Sequence, residues 1–266
     1  MATFEYITNG WWDEYGDPTL YDLCPGGPRN AIAIVAGYLL IVLVIGPRMM
    51  KNRPAYDLSS TIKVYNLVNI VLNMAIFLIG MKATNLGLDC FRCDTKPAKF
   101  DQMILGGGYY YLKIFDLLDT VFFVLRKKDR QVTTLHVAHH ATMPLLTWIA
   151  NKFYPYAPLA MTLLLNSFVH MLMYAYYYLA SVPEYKRFLW WKKYITVIQL
   201  VQFLIIFVQT MVMIGQPCLN TLHRVLACVG TSFLLYMIYS FSMFYYKSYV
   251  KVNRSVEYSN EIKKSN

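Results

Sequence analysis

The sequence predicts an all-α integral membrane protein with seven transmembrane helices. Three observations carry that prediction. Of 266 residues, 57% are hydrophobic and only 15% charged, where soluble domains run at roughly 45–50% and about 25%. The apolar residues fall in long blocks, seven of which approach the roughly 20 residues a spanning helix needs. The basic residues behind the net charge of +10 sit in short clusters between those blocks, as in cytoplasmic loops and unlike a nucleic-acid-binding face. Together with the mean hydropathy of +0.35, these features exclude a disordered chain and an ordinary cytosolic one.

Residues 1–28 hold no Lys or Arg but five acids, Glu5, Asp13, Glu14, Asp17 and Asp22. A basic n-region followed by an apolar stretch is absent, so no cleaved signal peptide is expected. The predicted spans then run 31–47, 63–82, 107–126, 134–151, 158–180, 194–215 and 222–246. The first, AIAIVAGYLLIVLVIG, is the cleanest. No repeat and no Gly/Ser linker interrupts them. The expected organisation is a lumenal segment 1–30, a seven-helix membrane domain 31–248 and a cytosolic tail 249–266.

Orientation follows from the loops. One side carries Arg48, Lys51, Arg53, Lys63, Arg126, Lys127, Lys128, Arg130, Lys186, Arg187, Lys192, Lys193, Lys247, Lys251, Arg254, Lys263 and Lys264, 17 in all. The other carries Arg29, Lys82, Arg92, Lys96, Lys99, Lys152 and Arg224, 7 in all. The N-terminus is therefore expected in the lumen and the C-terminus in the cytosol. Cys24, Cys90, Cys93 and Cys218 then face the oxidising side. A bridge between loops 83–106 and 216–221 is expected, with Cys93–Cys218 preferred over Cys90–Cys218 and four free thiols as the alternative. Lys263 and Lys264, fourth and third from the carboxyl end, resemble a dilysine retrieval signal of the endoplasmic reticulum, an address and not an anchor.

Several spans contain residues that lipid should exclude. An ionisable group in a span costs about 2.5–3.5 kcal/mol on insertion scales and marks a functional interior by default. The third span holds Lys113, Asp116, Asp119 and Thr120; Lys113 and Asp116, three apart, share a helix face. The fourth opens with LHVAHHATM, whose His136, His139 and His140 form one stripe. The fifth places Asn166, His170, Tyr174 and Tyr177 on one stripe, and the sixth adds Thr196, Gln199, Gln202 and Gln209. At a rise of about 1.5 Å per residue, His139 and His140 lie about 8 Å below the cytosolic boundary, His170 about 15 Å, and Asn166 and Lys113 about 20 Å. Polar groups from four helices thus overlap in depth, in a pocket opening toward the cytosol.

In this order, the strings resemble the ELO family of very-long-chain fatty acid elongases. The Lys-x-x-Glu-x-x-Asp-Thr box matches Lys113, Asp119 and Thr120, with Asp116 where the family usually has Glu. The box His-x-x-His-His matches His136, His139 and His140. The box Asn-x-x-x-His-x-x-Met-Tyr-x-Tyr-Tyr matches Asn166, His170, Met173, Tyr174, Tyr176 and Tyr177, and Thr-x-x-Gln matches Thr196 and Gln199. The resemblance implies seven transmembrane helices, six of them in a barrel around an acyl tunnel. It implies condensation of a long-chain acyl-CoA with malonyl-CoA to 3-oxoacyl-CoA, CO2 and CoA, without a cofactor, through an acyl-imidazole on His139. Implied partners are the two CoA substrates, the bilayer and the reductases and dehydratase of the elongation cycle; a homodimer is left open, since the sequence does not encode the oligomeric state.

The residues make an independent point about the nucleophile. No Cys lies in the cytosolic half of any predicted span, which leaves a neutral imidazole as the best nucleophile at pH 7. His140 is expected in proton transfer, His136 near the CoA, and His170 at the thioester oxyanion or enolate. Arg126, Lys128, Lys193, Lys247 and Arg254 are expected to meet CoA phosphates, with Gln131 beside them. Two other readings fit these residues less well: a histidine-box desaturase or hydroxylase, which needs more than the five histidines present, and a seven-helix receptor, whose pocket would open outward. A zinc hydrolase on the membrane histidines is a third.

Overall fold

The computed structural model describes residues 27–92, 103–153, 157–217 and 219–251, with Glu14 and Asp101. Every element among them is helical. The first stretch joins α1 (Gly27–Leu40) to α2 (Gly46–Met50) through a π-helical turn at Ile41–Ile45. Pro47 has no N–H to close the ladder onto Leu43, and the turn before it widens. The bond from the Gly46 amide to the Ile41 carbonyl marks that widening.

α3 (Ser59–Ala83) starts under Asp57, whose Oδ1 accepts from the Ser59 amide and hydroxyl at 3.0 and 2.6 Å. Those bonds hold the Asp57 carboxyl below its usual range. The helix ends where Thr84 Oγ1 donates to the Gly80 carbonyl at 2.7 Å and the chain turns through left-handed Gly87, φ 87°. A 3-10 turn, Leu88–Phe91, then tucks Cys90 against Ala160 and Leu164. Burial pushes the Cys90 thiol up to about 11, so it stays protonated at neutral pH and unreactive. Cys93 and Cys218, the preferred disulfide, lie outside the described residues, as do Arg254, Lys263 and Lys264.

The third stretch is not one regular helix. A π-helical turn at Met103–Gly108 leads into α4 (Tyr109–Phe115), a tight turn follows, and α5 (Leu118–Leu125) completes it. Next come α6 (Thr134–Phe153) and α7 (Ala157–Ala180), a 3-10 stretch at Pro183–Trp191, α8 (Lys192–Ile214), and α9 (Thr221–Tyr245). Ring contacts Tyr65–Tyr174 and Phe77–Phe168 make α3 and α7 antiparallel. Clusters linking Ala31 with Trp148, and Tyr38 and Val42 with Val137 and Ala141, do the same for α1 and α6.

Among the described residues, four stretches, Pro28–Met50, Ser59–Ala83, Pro183–Ile214 and Thr221–Val250, are long and apolar enough to cross a membrane. Their outward faces carry Leu43, Val71, Leu204 and Val229, all about half exposed, as lipid-facing residues are. The other three expected spans, α4–α5, α6 and α7, are the ones that hold Lys113, Asp116, Asp119 and four of the five histidines. The protein is thus all-helical and multi-pass.

Candidate active site

The break between α4 and α5 shapes the site. At Asp116 and Leu117 the backbone keeps helical angles, but the bonds shorten: Leu117 N donates to the Ile114 carbonyl and Asp119 N to the Asp116 carbonyl. In such a 3-10 turn side chains three apart eclipse one another. Asp116 and Asp119 therefore point the same way, and one phenol serves both. Tyr174 OH on α7 lies 3.1 Å from Asp116 Oδ1 and 2.7 Å from Asp119 Oδ2. Tyr174 is fully buried, with Tyr65 of α3 against its ring at 5.9 Å.

Lys113 Nζ pairs with Asp116 Oδ2 at 2.8 Å, and both side chains are 2% exposed. The ammonium also lies 3.5 Å from His170 Nδ1 and 4.9 Å above the Tyr109 ring. An ammonium has only donors, and Asp116 Oδ2, 3.7 Å from the same nitrogen, lies beyond hydrogen-bond range; the contacts therefore favour a bare Nδ1 on His170 with the proton on Nε2. Tyr109 OH in turn donates to Asn166 Oδ1 at 2.7 Å. Lys113, Asp116, Asp119, His170 and Tyr174, with Asn166 joined through Tyr109, therefore form one network across α4, α5 and α7, buried except at the half-buried Asp119. The shorter carboxylate at position 116 reaches both Lys113 and Tyr174.

The histidine stripe on α6 stacks beside it. The His136 and His140 rings are 4.2 Å apart, and His139 meets His140 edge-on at 5.5 Å. Thr120 Oγ1 lies 2.9 Å from His136 Nε2 and 2.9 Å from Tyr38 OH. His139 Nδ1 is buried and has no hydrogen-bond partner among the described residues. Pro144, inside α6 and fully buried, supplies no amide to the carbonyl of His140 four residues earlier. Among the described residues, no three His, Cys, Asp or Glu side chains are arranged to hold a metal ion.

Not every expected residue joins the network. Thr196 and Gln202 are buried on α8, whereas Gln199 is half-buried without a bond among the described residues. Tyr176 packs against Trp191 at 5.3 Å, and Tyr177 is 42% exposed. Arg126 is half-buried at the end of α5; Lys128, Gln131 and Lys193 are exposed at helix ends, with Lys193 Nζ 5.0 Å above the Tyr194 ring.

Sequence reasoning missed Tyr38 and Tyr65, single phenols within predicted spans, and Tyr109, the first of three consecutive tyrosines after three glycines. It also missed Asn66, Asn69 and Asn73 of α3, which are buried on the face toward α7. Their i, i+3, i+7 spacing follows the same rule that exposed the histidines and was legible.

The fold and site define an all-helical membrane protein with a buried histidine–carboxylate–lysine centre. Residues 26–257 match the model of the ELO: GNS1/SUR4 family, and the chain belongs to that family. It is 40% identical to the very long chain fatty acid elongase F of Drosophila simulans, over 84% of this chain and 89% of that one. To the very long chain fatty acid elongase 7 of Drosophila melanogaster it is 34% identical, over 93% and 79%. To the very long chain fatty acid elongase 5 of Mus musculus it is 38% identical, over 82% and 73%.

Proposed function

We propose that this chain is the condensing enzyme of fatty acid elongation, a very-long-chain 3-oxoacyl-CoA synthase. The observation that carries the reading is the unpartnered, buried Nδ1 of His139, beside two further imidazoles and a lysine–carboxylate network. A lone pair that no donor occupies is a nucleophile held ready. With the proton on Nε2, Nδ1 attacks the acyl-CoA thioester. The C–N bond forms as the C–S bond breaks, and CoA leaves as a thiolate that takes up a proton. Malonyl-CoA then loses CO2, and its C2 enolate displaces the imidazole from the acyl carbon. One proton is consumed overall.

His170, with its Nε2–H, is assigned to the developing oxyanion or enolate, and His140 to proton transfer. Lys113 and Asp116 hold His170 in place, and Tyr174 holds Asp119. Seven spans, six of them around an acyl tunnel, would carry the site in the endoplasmic reticulum membrane, with the N-terminus lumenal and the C-terminus cytosolic. The domain limits 31–248, the Cys93–Cys218 bridge, the CoA-facing Arg126, Lys128, Lys193, Lys247 and Arg254, the cycle's reductases and dehydratase as partners, and a homodimer belong to the same proposal. It invokes no cofactor.

The test is the full-length protein in nanodiscs, given malonyl-CoA and a panel of acyl-CoAs. Condensation is expected, with an acyl adduct on His139 when malonyl-CoA is withheld. His139→Ala is expected to lose both while keeping its expression. Turnover near wild type in that variant overturns the assignment.

A further inference from the structure

The first membrane helix, which its sequence marks as plain apolar lining, reaches the histidine cluster through two hydroxyls. Tyr38 OH of α1 lies 2.9 Å from Thr120 Oγ1 of α5, and that oxygen lies 2.9 Å from His136 Nε2 of α6. Tyr38 is 5% exposed and Thr120 fully buried. The phenol ring is enclosed by Val42, Met50, Leu117 and Val124, and its hydroxyl has no other partner among the described residues.

That enclosure sets the direction of the chain. A phenol has one hydrogen, and Thr120 Oγ1 is its available acceptor. Reversing the polarity would leave a buried O–H donor unsatisfied. Thr120 thus accepts from Tyr38 and has its own single hydrogen left for His136. The Thr120 oxygen could accept a second time, but a proton on His136 Nε2 would leave the buried Thr120 hydrogen with no acceptor among the described residues, so Nε2 is the bare nitrogen and the proton sits on Nδ1.

We propose that Tyr38 is a positioning residue which, acting through Thr120, holds His136 as the neutral Nδ1–H tautomer. His136 then offers substrate an N–H donor, and is neither base nor nucleophile. The hydroxyl chain also pins one end of the imidazole stack, since His136 contacts His140 at 4.2 Å and His140 contacts His139 at 5.5 Å. The proposal rests on the reading of that stack as the condensing site.

Its test uses the full-length protein in nanodiscs, with the histidine ring nitrogens labelled with 15N. His136 signals are assigned by their loss in His136→Gln. A bare Nε2 and a protonated Nδ1 are expected in the unmodified protein, a reading that needs no turnover; the other histidine signals staying in place in His136→Gln shows that this variant folds. Tyr38→Phe frees the Thr120 hydroxyl to accept instead of donate. Mixed tautomers are expected, with a fall of about tenfold in kcat and little change in KM, the low end of what losing an outer partner costs a working histidine. Thr120→Ser keeps the hydroxyl and retains the unmodified tautomer. An Nε2–H tautomer in the unmodified protein overturns the proposal, as does Tyr38→Phe with unchanged nitrogen signals. Turnover by His139→Ala overturns the condensing-site reading alone, because the tautomer is read independently of activity.

Discussion

Lys113 and Asp116 show what a buried charge demands of its neighbours. Each is 2% exposed, and at 2.8 Å each is the other's compensation. Removing one member of such a pair leaves an uncompensated charge and costs about 3–5 kcal/mol, whereas replacing both with apolar residues is often neutral or stabilising. Lys113→Met is therefore expected to lower the thermal midpoint in detergent sharply, and the double variant Lys113→Met/Asp116→Leu to recover it. Condensation stays lost in both, since His170 loses the two groups 3.5 and 3.7 Å from its Nδ1. A single variant as stable as the unmodified protein would show that the pair is not buried as described. The i, i+3 spacing made this pair legible in the sequence; Tyr174 was legible only as a member of the stripe on its own helix, and its bond to Asp116, 58 residues away, was not, because periodicity along one helix does not say what a neighbouring helix meets.

Helix geometry decides which substitutions the elements tolerate. A methyl group at Gly46 would lie 2.7 Å from the Ile41 carbonyl oxygen and 2.7 Å from Val124 Cγ1. The first is backbone, held by the π-helical turn, and cannot step aside. At Gly80 the clash, also 2.7 Å, is with Leu164 Cδ2, the tip of a flexible side chain. At Gly37 a methyl group meets nothing within 4 Å. Gly37→Ala is expected to be neutral or stabilising by up to about 1 kcal/mol through helix propensity. Gly46→Ala should cost about 1–3 kcal/mol, and Gly80→Ala should fall between. Unfolding midpoints of the three variants check the order. Equal stability at positions 37 and 46 would contradict the packing of α2 on α5.

For the molecule as a whole, orientation is the testable consequence of the 17-to-7 division of basic residues. The one Asn-x-Ser/Thr sequon, Asn253-Arg254-Ser255, lies in the tail assigned to the cytosol, where the lumenal transferase does not reach. No glycan is expected there, whereas a sequon engineered into residues 1–28 should be modified. The readout is a glycosidase-sensitive mass shift. Such a shift mapped to Asn253 would invert the topology and move the histidine stripe away from cytosolic malonyl-CoA. Outward-facing Val64, Leu78, Leu204 and Val225, each more than half exposed, are consistent with a molecule surrounded by lipid on most sides.

His136, His139, His140, His170, Lys113 and Asp116 were determined by the sequence alone, for a reason that lipid supplies. A polar side chain in an apolar run is costly, so its presence is conspicuous, and 3.6-residue periodicity tells which others share its face. The all-helical class followed from the same apolar blocks. Periodicity along one helix does not encode rotation or register between helices, and only the tertiary structure decided those. It gave Thr120 and Tyr38 to His136, Tyr109 to Asn166, and Tyr174 to two carboxylates at once. The last required a 3-10 turn at Asp116 and Leu117, where the 100° step per residue that sequence reading assumes no longer holds.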